Sequence, residues 1–163
     1  MIKLQITKSQ LQMFFYSFFV NVGPNLAKKI PSDNRSPTIY MERNPNSMAC
    51  LPIIHEDIIS IIKNLKISSP GWDSVSAVVV KATYLSFLEP LTHIMNLSFT
   101  QGIFPSDLKL AKVIPLYKAN DPMVFSNYRP VSVLPLFSKI LERLMYNRLL
   151  SFINNYDLLY LSI

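Results

Sequence analysis

The most regular hydrophobic pattern lies near the middle of the chain. In "IHEDIISIIKNLK", starting at Ile54, residues Ile58, Ile61, Ile62 and Leu65 recur at helical spacing. Glu56 and Asp57 fall in the first turn, where carboxylates complement the helix dipole. This predicts an amphipathic helix that stops at "SSPGWDS", where Pro70 and Gly71 force a turn. A second long pattern, "PLFSKILERLMYNRLLSFI", sets Leu136, Ile140 and Leu144 on one stripe flanked by Phe137 and Leu141. Lys139, Glu142, Arg143 and Arg148 are expected opposite that stripe. "LTHIMNLSFTQG" predicts another helix, closed by Gly102. The preceding "VSAVVVKATYLSFLEP" is open between strand, for its valines, and helix, for its length. Two short β-branched runs, "AKVIPL" (Ala111–Leu116) and "YRPVSVL" (Tyr128–Leu134), flank a polar segment and predict a β-hairpin.

Closer to the N-terminus, residues 10–30 predict a helix with an aromatic face, interrupted at Gly23 and Pro24. A proline-punctuated linker follows over residues 31–52. The elements together predict an α+β fold: helices plus one hairpin.

Composition narrows this picture. The chain has 163 residues, half of them apolar and only 16% charged, so it is long and apolar enough for a real core and unlike a disordered chain. Cys50 is the sole cysteine, which excludes an internal disulfide framework and fits a reducing compartment. The apolar run within "MIKLQITKSQLQMFFYSFFV" falls short of the roughly 20 residues a bilayer span takes. No small-x-small cleavage site follows it, so we expect an intracellular protein, in cytoplasm or nucleus, with no membrane role. The net charge of +6 is unevenly spread. Residues 1–50 and 109–163 each carry +4, whereas 51–108 carry −2. A basic C-terminal third is compatible with a polyanionic partner, and equally with a solvated basic surface.

Candidate chemistry centres on the hairpin. Lys118 ends one apolar run and Arg129 stands early in the next. An ammonium and a guanidinium near a hairpin turn suit a triphosphate, the arginine bidentately and the lysine as a point charge. The residues alone leave simple solvation as the alternative. "SSPGWDS" holds one glycine, which makes no phosphate loop. Trp72 is expected to anchor packing, and Phe14, Phe15, Phe18 and Phe19 to form core and not a base-stacking surface. His55 and His93 have no second ligand at zinc spacing, and Cys50 has no activating base nearby.

Three segments, "LKISSPGWDSV", "LTHIMNLSFTQGIFPSDLKLAKVIPLYKANDP" and "SNYRPVSVLPLFSKILERLMYNRL", together resemble the reverse transcriptases of non-LTR (LINE-type) retrotransposons, particularly jockey-like elements. "FFVNVGPNLAKKI" resembles the segment leading into that domain, so the resemblance covers roughly residues 18–160. It implies the fingers of a right-hand polymerase and the run-up to its palm. On this basis residues 1–52 form a lead-in helix and linker, and 53–163 a partial reverse transcriptase domain. It further implies that Lys118 and Arg129 hold the incoming triphosphate, and that Ser69, Pro70 and Gly71 belong to a loop on the template side. Asp73 in that loop is not expected to bind metal.

In the family, RNA or DNA template-primer and deoxynucleotides are the partners, and palm aspartates hold two Mg2+ ions. This sequence has no Asp-Asp pair. The edges, "MIKLQITKSQLQM" and the final "LSI", fit the family poorly and resemble those of a broken reading frame, with no endonuclease domain ahead of them. The expectation is a truncated segment that binds no metal, has no catalysis of its own and binds nucleic acid weakly at most. The other readings are a non-catalytic nucleic-acid- or nucleotide-binding module and a small helical interaction protein.

Overall fold

A computed structural model of the chain describes residues 8–31 and 45–158. The expectations for "MIKLQIT", most of the proline-rich linker and the final "LSI" lie outside the described residues. What is described is a mixed fold of four α-helices, two short 3-10 turns and a two-stranded antiparallel hairpin. It divides into a helical unit, residues 45–112 with 132–158, and a hairpin unit, residues 8–31 with 113–131.

The helical unit is built on three helices: α2 (His55–Asn64), α3 (Ala77–Gln101) and α4 (Leu136–Asn155). The isoleucine spacing places Ile58, Ile61 and Ile62 of α2 in the core. The stripe of α4 buries Leu136, Ile140, Leu141 and Leu144. Helix α3 contributes Val80, Leu88, Leu91 and Met95. Each fully buried side chain of this kind stabilises by about 1.5–3 kcal/mol. The interior therefore accounts for the unit's cohesion.

The segment that was open between strand and helix is helical, and it is continuous with the next one. Ser76 caps its start by accepting a hydrogen bond from the Val79 amide at 3.3 Å. Gly102 ends it in the left-handed conformation, at φ 65°. Pro90 lies inside this helix, although an interior proline costs about 3 kcal/mol through a lost hydrogen bond and a clash. Leu88, Leu91 and Met95, buried on either side of it, offset that cost. Buried Thr92 is satisfied within the helix, donating to the Leu88 carbonyl at 2.7 Å.

Two polar clamps fix the chain entering α2. The Asn96 amide accepts from the Ile53 N–H at 2.7 Å and donates to the Ile53 carbonyl at 2.9 Å. Arg148 is the second clamp, and its position corrects the sequence expectation. It does not stand on the solvent face of α4; its side chain is 12% exposed. Its guanidinium donates to the Leu51 carbonyl at 2.9 Å, the Pro52 carbonyl at 3.2 Å and the Leu144 carbonyl at 3.3 Å. The same group pairs with Asp57 at 3.2 Å and lies over the Phe99 ring at 5.2 Å. Only a guanidinium has enough donors in a fixed plane for this set.

In the hairpin unit, α1 (Lys8–Ala27) runs through Gly23 and Pro24 without the expected interruption. Pro24 is tolerated because the helix ends three residues later, and its own carbonyl still accepts from the Lys28 amide at 3.1 Å. Strands β1 (Lys112–Tyr117) and β2 (Tyr128–Val133) form the hairpin. The N–H of Lys118 donates to the Asn127 carbonyl at 2.8 Å, which sets Lys118 opposite Asn127 and Tyr117 opposite Tyr128. The same register sets Pro115 opposite Pro130 in a non-hydrogen-bonded pair. Their missing N–H groups would have pointed away from the partner strand, so the ladder loses nothing.

The N-terminal phenylalanines are not core in the expected sense. Phe14 is 51% exposed, and Phe15, Phe18 and Phe19 are only half-buried. They form a ring-on-ring seam, with Phe15 edge-on to Phe125 at 4.8 Å and to Tyr128 at 4.9 Å.

Candidate nucleotide-binding site

The loop between the strands is tied down by its own side chains. Asp121 accepts from the Met123 amide at 2.8 Å, which makes a turn at Pro122. The Asn127 amide donates to the Asp121 carbonyl at 2.8 Å, and the Tyr128 hydroxyl donates to the Pro122 carbonyl at 2.9 Å. The Tyr117 hydroxyl donates to the Asn120 carbonyl. Asn120 itself takes a left-handed conformation at φ 72°, which asparagine tolerates better than most residues. A 3-10 turn over Phe125–Asn127 then leads into β2. Sequence reading missed Tyr117, Asp121, Asn127 and Tyr128 as loop-setting residues. The available signal was the density of Asn, Asp and Tyr around one proline.

This frame positions Lys118 and Arg129. Lys118 lies opposite Asn127, and Arg129 is two residues further along β2, so the two share one face of the hairpin as diagonal neighbours. Such neighbours stand about 7–8 Å apart. Tyr117 and Tyr128 occupy the other face, their rings 5.5 Å apart, where Tyr128 meets Phe15. Aromatic packing thus backs the hairpin while its cations face away. Both cations are exposed, and neither side chain pairs with an acid or donates a hydrogen bond among the described residues. Two cations on one face of the hairpin, neither ion-paired among the described residues, suit an anion with several charged oxygens.

Ser69, Pro70 and Gly71 lie in the helical unit, between α2 and α3. Ser69 and Pro70 are exposed, and Gly71 is buried. A Cβ on Gly71 would come within 2.8 Å of the Pro135 nitrogen, so close packing against the start of α4 requires glycine there. Asp73 accepts from the Val75 amide at 3.2 Å, closing a local turn. Trp72 is 49% exposed, yet its indole N–H donates to the Asp107 carbonyl at 3.3 Å and ties this loop to the 3-10 turn over Ser106–Lys109.

His55 pairs with Glu89 at 3.0 Å. Among the described residues no three His, Cys, Asp or Glu side chains gather as metal ligands would. That donor set does not fit a two-metal polymerase centre. No helix among the described residues is long and apolar enough to cross a membrane.

No family model matches the chain. Among curated proteins it is 35% identical over 105 residues, 63% of its length, to the "Probable RNA-directed DNA polymerase from transposon BS" of Drosophila melanogaster. It is 34% identical over 98 residues, 59% of its length, to the RNA-directed DNA polymerase from mobile element jockey of the same species. A third relative, 28% identical over 119 residues or 72% of the chain, is the 115 kDa protein in type-1 retrotransposable element R1DM of D. melanogaster. The matched part makes up only 11–12% of these relatives' own length. By sequence, this chain is therefore similar to a fragment of the RNA-directed DNA polymerases of non-LTR mobile elements.

Proposed function

We propose that the chain is the fingers segment of such a polymerase, with residues 53–163 as the partial polymerase domain and residues 1–52 as its lead-in. In this reading the hairpin closes over the incoming deoxynucleotide. Arg129 takes two phosphate oxygens through its planar fork, and Lys118 supplies a mobile charge to a third. The observation that carries the proposal is the placement of two exposed cations, unpaired among the described residues, on one face of a hairpin whose other face is packed by aromatics.

Binding, and not phosphoryl transfer, is what these residues are assigned. Transfer needs a pair of metal ions bridging attacking and leaving oxygens, and the described carboxylates form no such cluster. Mg2+, template-primer and the transfer step belong, in this proposal, to the whole polymerase. The loop of Ser69, Pro70 and Gly71 is proposed to face the template through its exposed Ser69 and Pro70, with the buried Gly71 acting through its fit against Pro135.

The test is equilibrium binding of a deoxynucleoside triphosphate to the chain at low salt. Arg129→Ala should weaken binding by about tenfold or more, the value of one charge-assisted hydrogen-bond pair. Arg129→Lys should restore only part of it. Equal affinity for the triphosphate and the bare nucleoside would sink the reading.

A further inference from the structure

The outer side of α3 departs from the pattern of a surface helix. Such a helix turns polar and charged residues towards solvent. On α3, Val78, Val79, Leu85, Ile94 and Leu97 are each at least 42% exposed. Glu89 is the only exposed Asp, Glu, Lys or Arg of this 25-residue helix. Lys81, its other formal charge, reaches the end of α2 by donating to the Lys63 carbonyl at 3.0 Å.

Most polar groups on this face are satisfied within the helix. The Thr83 and Thr100 hydroxyls donate one turn back, to the Val79 carbonyl at 2.8 Å and the Asn96 carbonyl at 2.9 Å. Pro90 has no N–H to offer. Two groups remain. Glu89 meets His55 through Oε2 at 3.0 Å, while its Oε1 has no partner among the described residues. The His93 imidazole, one turn further along and exposed, has none either. An acceptor and a donor thus stand four residues apart in an otherwise apolar surface.

Without an exposed Lys or Arg, the face gives an anionic membrane surface or a phosphate backbone nothing to hold. It is instead complementary to itself. When two copies of one helix pack antiparallel about a two-fold axis, residues equally far before and after the axis face each other. Leu91 is buried on the inner side, so at its level the outer side lies between Glu89 and His93. An axis there sets Glu89 against His93 of the second copy and Leu85 against its Leu97, each twice by symmetry. Ala82 then faces Thr100 on the centre line, where short side chains let the helices approach. We propose that the chain self-associates through this antiparallel pairing of α3, with Glu89–His93 and Leu85–Leu97 as its reciprocal contacts. At 1.5 Å per residue the face is about 37 Å long. One helix face of that length is smaller than a standard interface, so association at micromolar concentrations is expected. The pairing uses the helical unit alone and does not depend on whether the hairpin holds a nucleotide.

The experiment is sedimentation equilibrium of the full 163-residue chain over about 1–300 μM, where a monomer–dimer equilibrium is expected. L85K and L97E each set a charge against leucine at both contacts of a homodimer, and should weaken it by about tenfold or more. An equimolar mixture of the two variants should recover the dimer. In the mixed pair the introduced ammonium and carboxylate face each other at one contact, and two leucines meet at the other. H93E sets a second carboxylate against Glu89 and should weaken association by at least about threefold, whereas H93K should not. Both leucines are exposed in the monomer, so circular dichroism of L85K and L97E should match the parent, and a failed mixture is then a failure of the pairing. A chain that stays monomeric or forms assemblies larger than two would overturn the proposal. So would a dimer indifferent to L85K and L97E, a mixture no tighter than its components, or equal effects of H93E and H93K.

Discussion

The two units differ in what holds them together. In the helical unit, thirteen apolar side chains from α2, α3, α4 and the segment entering α2 at Ile53 are buried, and Ile58, Ile62, Ile140 and Leu144 are wholly enclosed. In the hairpin unit no described residue is buried. A lone two-stranded hairpin is marginal in water, and here it relies on a half-exposed aromatic seam and on side-chain bonds within its loop. The lesson is a division of labour. Stability resides in a helical core, while the exposed cations of the hairpin stand on a support shallow enough to yield. Elements that move around a ligand come from the low-stability end of a fold.

The largest test of this contrast is Arg148. Arg148→Ala removes a largely buried guanidinium from the Leu51 and Pro52 carbonyls and from Asp57, and should lower stability by about 1–3 kcal/mol in urea unfolding. Arg148→Lys should recover less than half of that, since an ammonium cannot reproduce the fork. A loss under about 0.5 kcal/mol, the level of an ordinary surface change, would return Arg148 to the solvent face. Next comes Gly71→Ala, which drives a Cβ into the Pro135 backbone and should cost about 1–3 kcal/mol. Stability equal to the parent would mean that the α2–α3 loop packs more loosely than described.

Phe125→Ala should act on one unit only. Removing the ring that meets Phe15, Phe14 and Phe18 should speed amide exchange in the hairpin and α1, leaving the amides of α2 and α4 as protected as before. Uniform acceleration across both units would show a single cooperative structure. The smallest effect is expected at Ser138, whose buried hydroxyl has no hydrogen-bond partner among the described residues. Ser138→Ala should be neutral or stabilise by up to about 1 kcal/mol. A clear loss in the urea midpoint would reveal a bond at that hydroxyl.

The parts of this fold that local periodicity encodes were legible in the sequence. The isoleucine spacing of α2, the leucine stripe of α4 and both strands of the hairpin follow from neighbouring residues, and the observed strands differ by about one residue at their ends. Prolines misled. Pro24 read as a break and the segments on either side of Pro90 were read separately, but α1 was already ending and α3 had core contacts on both sides of Pro90. Arg148 was misread for a different reason. Its partners are the carbonyls of Leu51 and Pro52, almost a hundred residues away, which no helical wheel displays. The hairpin cations were found by residue type, but their shared face depends on a pairing register that only the Lys118–Asn127 bond fixes.

The most direct test of the account is a residue-by-residue NMR titration of the chain with thymidine triphosphate, and in parallel with thymidine. The account predicts shifts for the triphosphate at the amides around Lys118 and Arg129, none for the nucleoside, and their loss in K118A/R129A. Hairpin amides that stay silent while the triphosphate binds elsewhere, or that respond equally to thymidine, would contradict it.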